Sequence, residues 1–194
     1  MKRLLALPIF IAVSQLASAA QMTGFATQYY QDDGTTAEQP TKVSLSPTIN
    51  IGKKTIEMEV STLSEITSTP AEKDSSASWV CLHASDGTNY WFISDNEMGA
   101  GSLTAIAMAK DGMHKECSKA SKSISVSVAN VPLLNATHTN LVDLFGKQEV
   151  TKKNGILFYH ETPVQDGFIQ SNTVSYYFNS ENVRGVIIGQ ITSN

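Results

Sequence analysis

Asn135-Ala136-Thr137-His138-Thr139-Asn140-Leu141-Val142-Asp143-Leu144-Phe145-Gly146-Lys147 reads as a helix with both ends written into it. Thr137 is placed to act as N-cap, its hydroxyl accepting from a free amide of the first turn. Leu141, Leu144 and Phe145 fall at i, i+3 and i+4, so one face is apolar. Gly146 follows where a left-handed residue closes many helices.

Downstream, the spacing predicts a strand over Leu157–Glu161, a loop containing Pro163 and Gly167, and a hairpin. The hairpin pairs Thr173–Phe178 with Val183–Ile188 across Asn179-Ser180-Glu181-Asn182. Val174, Tyr176 and Phe178 share one face, expected to be core, which leaves Tyr177 outward. Upstream, Val43–Ile51 and Thr55–Val60 read as strands, the second alternating Ile56, Met58 and Val60 with Glu57 and Glu59. Ser61–Ser78 lacks a sustained apolar stripe and reads as a long loop. Trp79–Ala84 and Asn89–Ser94 flank Ser85-Asp86-Gly87-Thr88, whose Asp-Gly is a strong hairpin signal. Leu103–Lys110 reads as a third strand, although its alanines also permit a helix. Ile124–Val128 alternates as another strand. The expected fold class is α+β: an antiparallel β-meander with a short capped helix on one face, with a two-repeat arrangement left open.

Met1-Lys2-Arg3, the apolar Leu4–Val13 and Ala17-Ser18-Ala19 have the pattern of a signal peptide spanning 1–19. The expected mature chain is periplasmic or secreted, without a membrane span. Residues 20–42 read as a flexible N-terminal segment, 43–130 as a mainly β region and 131–194 as the helix-plus-meander unit. Removing Lys2 and Arg3 from the 14 basic residues leaves 12 against 18 acidic ones, with Arg184 the only arginine. That balance argues against nucleic acid and anionic lipid as partners. Cys81 and Cys117 are the only cysteines, and an oxidising compartment favours one disulfide between them. A catalytic cysteine or a redox pair is the competing reading, though no Cys-x-x-Cys is present.

The region 131–191 resembles the small repeat shared by β-lactamase-inhibitor-like proteins and the SmpA/OmlA-type outer-membrane assembly lipoproteins. Thr137 matches the threonine of the Gly-x-Thr helix start; Leu141, Leu144 and Phe145 match the apolar positions and Gly146 the closing glycine. Leu157-Phe158-Tyr159 matches the aromatic strand, and Tyr176-Tyr177-Phe178 with Val183 the hairpin. Asn135 stands where glycine is usual and Gln148 where proline is, and no lipid-bearing cysteine follows the leader. The resemblance implies a non-catalytic module that binds another exported protein across a sheet face.

Catalytic patterns are missing: there is no His-Glu-x-x-His, Gly-x-Ser-x-Gly, phosphate loop or calcium loop. His160-Glu161 is the sharpest polar pair, but strand neighbours face opposite ways. His83 and Asp86 could meet at a hairpin turn; His114 and His138 stand apart. The expectation is therefore no enzyme, no cofactor and no metal. Trp91, Tyr159 and Tyr177 are the candidate interface residues, because aromatics are enriched at protein interfaces, with Trp91 equally readable as core. The partner expected is another exported or envelope protein, bound by an inhibitor or immunity-type module. The alternatives are an envelope assembly accessory, or a hydrolase or small-ligand binder with a non-local site.

Overall fold

A computed structural model describes residues 21–30, 36–146, 155–180 and 182–194. The stretch 1–19 expected to be a signal peptide, Gln148 and Glu181 lie outside them. A 3₁₀ helix, Gly24–Tyr30, leads into β1 (Thr36–Pro40), β2 (Pro47–Ile51), β3 (Lys54–Ile56) and α1 (Leu63–Ile66). Then come β4 (Glu72–Lys73), β5 (Ala77–His83), β6 (Asn89–Asp95), β7 (Ala105–Ala109), β8 (Ser118–Lys119) and β9 (Ile124–Val128). The chain finishes with α2 (His138–Phe145), β10 (Gly155–Pro163), β11 (Ile169–Asn179) and β12 (Asn182–Ser193).

The expectation of a simple antiparallel meander with a helix on one face is corrected. Strands occupy 48% of the described residues and helices 14%, so sheet-on-sheet packing carries the fold. Two antiparallel meanders, β5-β6-β7 and β10-β11-β12, meet edge to edge where β7 pairs with β12. β1 adds to β10 and β8 to β5, both in parallel, which makes the nine-stranded sheet mixed. A second sheet, β3-β2-β9, stacks on one face of the first. Parallel pairing needs a long crossover and leaves no local trace in the sequence, whereas a hairpin does.

Several local readings hold. The β5–β6 hairpin forms with Trp79 opposite Ile93, and Gly87 takes φ +85° in its turn. β7 is a strand; Ala105, Ala107 and Ala109 share one face and Ile106 and Met108 the other, all buried. Thr137 accepts from the Asn140 amide at 3.2 Å while the Asn140 side chain caps the Thr137 amide, so α2 opens with a capping box. Gly146 closes it at φ +85°. The ring of Phe145 stacks on Phe158 with centroids 3.9 Å apart.

Other readings change. The strand from Thr55 stops at Ile56, because the chain turns through Glu59 at φ +60° and leaves Val60 exposed. Within Ser61–Ser78, Thr62 caps the single turn of α1, whose Leu63 and Ile66 are buried. The segment 20–42 is structured where it is described: Met22, Phe25 and Ala26 are buried, and Thr36–Pro40 is the edge strand of the large sheet.

One face of the large sheet is covered along its length and the other only in part, and this decides which side chains are accessible. The larger core lies between the sheet, the small sheet and α2, and holds Phe92, Ile106, Phe158 and Tyr176. A smaller core on the opposite face holds Trp79, Trp91, Tyr177, Met22 and Phe25. Cys81 and Cys117 form a disulfide in this second core, with Cα atoms 4.4 Å apart. It ties the 110–119 loop to β5, next to the parallel pairing of β8.

Candidate functional site

Register turns the second face of the β10-β11-β12 meander into rows across the sheet. Gly155, Tyr177 and Gly185 form the first row. Leu157, Ser175 and Ile187 form the next, and Tyr159, Thr173 and Gly189 the third. Glu161, Ser171 and Ile191 follow, and Pro163, Ile169 and Ser193 end the arm. The 3₁₀ helix covers only the first row. Phe25 packs edge-on against Tyr177 at 5.5 Å, and a Cβ placed on Gly185 would stand 2.5 Å from its ring.

Rows two and three are the floor of a cleft of about 280 Å³. One wall is Gln28 and Tyr29 of the 3₁₀ helix, another is Thr36 and Glu38 of β1, and the third is Asp95 at the end of β6 with Met98 beyond it. The wall carrying Asp95 is held firmly. Its Oδ2 accepts from the Tyr29 hydroxyl at 3.0 Å, and its Oδ1 accepts from the amides of Glu97 at 2.8 Å and Met98 at 2.9 Å. Burial, reinforced by the Asp95 charge, pushes the Tyr29 phenol far above its ordinary value, so it remains a donor. Tyr30 extends the clip by donating to Asp74. Burial alone would raise the Asp74 carboxyl, but the Tyr30 hydroxyl and the amides of Ala77 and Ser76 outweigh it and hold it low.

Beyond row three the sheet narrows. The β1 register ends at Tyr159 and the β7 register at Gly189, so rows four and five are only three strands wide. They form a finger that ends in Pro163-Val164-Gln165-Asp166-Gly167-Phe168-Ile169. The tip is closed by the Val164 amide donating to the Phe168 carbonyl at 2.9 Å, with Asp166 and Gly167 at φ +61° and +83°. Six large hydrophobic side chains are exposed among the described residues, and Val164, Phe168 and Ile169 are three of them. Met98, at the lip of the cleft, is a fourth.

Of the three expected interface residues, Tyr177 is corrected, and Trp91, equally readable as core or interface, is core. Trp91 is wholly buried beside the His114 ring, and Tyr177 is buried beneath Phe25. Tyr177 is expected outward on the premise that one sheet face is wet, and the N-terminal segment, packed with both residues in one core, removes that premise. Tyr159 is half-buried on row three of the open face. The finger tip was not singled out, although two large apolar residues directly after an Asp-Gly turn were a signal for it.

The histidines do not converge. His83 Nδ1 lies 2.7 Å from Asn89 Oδ1, and Asp86 binds the amide and hydroxyl of Thr88 instead. His160 Nδ1 lies 3.0 Å from the Thr41 carbonyl, which fastens the end of β1 to β10. His114 Nε2 lies 3.4 Å from the Thr23 hydroxyl, and Thr23 also donates to Glu116. Three other clefts, lined in part by Glu65 with Lys122, by Glu57 with Glu59 and by Lys110 with Arg184, hold no histidine either. Among the described residues no group of three His, Cys, Asp or Glu could hold a metal ion.

No family model, curated protein or solved structure matches this chain. No described helix is long and apolar enough to cross a membrane. The disulfide is compatible with an extracellular or periplasmic location.

Proposed function

We propose that this chain is an exported protein-binding module of inhibitor or immunity type, which engages another secreted or envelope protein through the open sheet face and its β10–β11 finger. The carrying observation is the finger tip. Val164, Phe168 and Ile169 are exposed together on a turn whose backbone is already closed by its own hydrogen bonds. Exposed apolar clusters mark interaction sites, and a preordered loop loses little entropy on docking. The scattered histidines support a non-catalytic reading. The order of capped helix, aromatic strand and hairpin through 137–193 supports the resemblance to the inhibitor and assembly-lipoprotein repeat.

The test compares the wild-type protein with a Phe168→Ser, Ile169→Ser variant. Each is immobilised, exposed to an exported-protein fraction, and followed by titration with the protein recovered. The expected result is one saturable complex that the variant weakens by about 30-fold or more, since hot-spot truncations cost about 2 kcal/mol. Urea midpoints should stay the same. Equal affinity for wild type and variant would reject the finger as the binding element.

A further inference from the structure

Resting on that reading, we infer that the cleft between Glu38 and Asp95 seats a basic side chain, a lysine or arginine, presented by the partner protein. Carboxylates stand on two of its walls, and no lysine, arginine or histidine lines it. The full chain carries a net charge of −4, so the wider field adds to the local one. The volume of about 280 Å³ is just below the ~300–1,000 Å³ of pockets that take drug-sized ligands, which suits one extended side chain better than a cofactor.

The floor fits the two parts of such a side chain. Leu157, Ile187 and Ile191 offer apolar surface to a methylene stem, as long cationic side chains require. Gly189 keeps the middle of the floor open: a Cβ there would lie 2.6 Å from Thr173 Oγ1. Ser175 opens on the cleft and is only 6% exposed, so its hydroxyl lies in the floor, where it can accept from an N–H donor. Asp95 needs no reorganisation to receive one, because Tyr29 and two backbone amides already fix its carboxylate. Glu38 is exposed at the mouth and supplies the first attraction. Rows four and five carry this floor directly into the finger, so one partner surface could fill both.

The experiment titrates penta-lysine into the isotope-labelled protein and follows backbone amide resonances, with the fully side-chain-acetylated peptide as control. Shifts centred on Thr173, Ser175 and Ile191 are expected, fading as salt rises. Glu38→Gln should weaken binding roughly threefold to fivefold, and Glu38→Lys should abolish it by placing a rival ammonium at the mouth. Several results would overturn the inference: no shifts in the cleft at millimolar peptide, equal binding by the acetylated peptide, or Glu38→Lys binding like wild type. Partner capture that needs Phe168 and Ile169 yet ignores Glu38→Lys would remove this inference alone and leave the finger reading standing.

Discussion

Phe25→Ala tests whether the N-terminal segment is a structural cover. Phe25 is fully buried, edge-on to Tyr177, and its ring lies over Gly185. Removing a buried phenylalanine side chain costs about 3–5 kcal/mol. About 0.5–1.5 kcal/mol of that belongs to the aromatic pair. Detachment sets a ceiling on the loss. Once the cost exceeds the docking free energy of residues 21–30, the segment leaves and no further stability disappears with it. Urea unfolding followed by tryptophan fluorescence is the natural assay, since Trp79 and Trp91 both sit in the core that the segment closes. Limited proteolysis should cut the variant within 21–30 while the wild type resists.

A double-mutant cycle sharpens the test. Gly185→Ala drives a Cβ into the Phe25 ring, and overpacking of this kind costs about 1–3 kcal/mol. In the Phe25→Ala background that cost should shrink, leaving only the contact with the Met108 carbonyl at 2.8 Å. A loss under about 1 kcal/mol for Phe25→Ala, with additive Gly185→Ala and no new cleavage, would refute the cover.

Thr137→Ala removes the N-cap of α2 and should cost about 1 kcal/mol in urea unfolding. Tyr176→Phe removes the hydroxyl that donates to the Pro132 carbonyl at 2.7 Å and should cost about 0.5–1.5 kcal/mol. Cys81→Ser with Cys117→Ser should lower stability by up to about 4 kcal/mol from loop entropy, and non-reducing peptide mapping of the wild type should recover the linked pair. Asp74 is held low in the folded state, so its contribution is present above the unfolded aspartate value of about 3.9 and disappears as pH falls through the lower folded value. The acid limb of a stability–pH curve should therefore be shallower in Asp74→Asn than in wild type.

What was legible in the sequence was local. The Asp-Gly turn between β5 and β6, the Thr137 cap and the Gly146 stop each depend on a few adjacent residues. The cysteine pairing followed from count and compartment. What was hidden depends on contacts between distant segments. β1 lies against β10 with partners such as Thr36 and Gly155, about 120 residues apart. A short polar strand like Thr36–Pro40 has no periodicity that announces such a partner. The packing of the 21–30 segment was hidden in the same way: alternation tells which side chains share a face and not whether that face is wet, so it left Tyr177 outward and Trp91 undecided. Phe25, in a polar stretch without apolar periodicity, gave no sign that it would cover Gly185.

Strand length then explains why the open surface is a face and not an edge. β10, β11 and β12 run to 9, 11 and 12 residues, against 5 for β1 and 5 for β7. The surplus projects as the finger, and such a projection exposes two strand edges that invite unwanted pairing. Both are closed. Pro163 ends the β10 edge and removes a donor. On the β12 edge, Glu59 takes the amide of Thr192 at 2.6 Å and the Gln190 side chain at 3.1 Å, while the Gln190 amide donates to the Thr104 carbonyl at 2.9 Å. Glu59 reaches that position only by adopting φ +60°, a conformation disfavoured for a residue with a Cβ. Strain kept at one residue to seal an edge, next to apolar residues left exposed on the adjoining tip, directs any partner away from strand addition. Recognition is left to side chains: the Phe168–Ile169 tip and the cleft floor behind it.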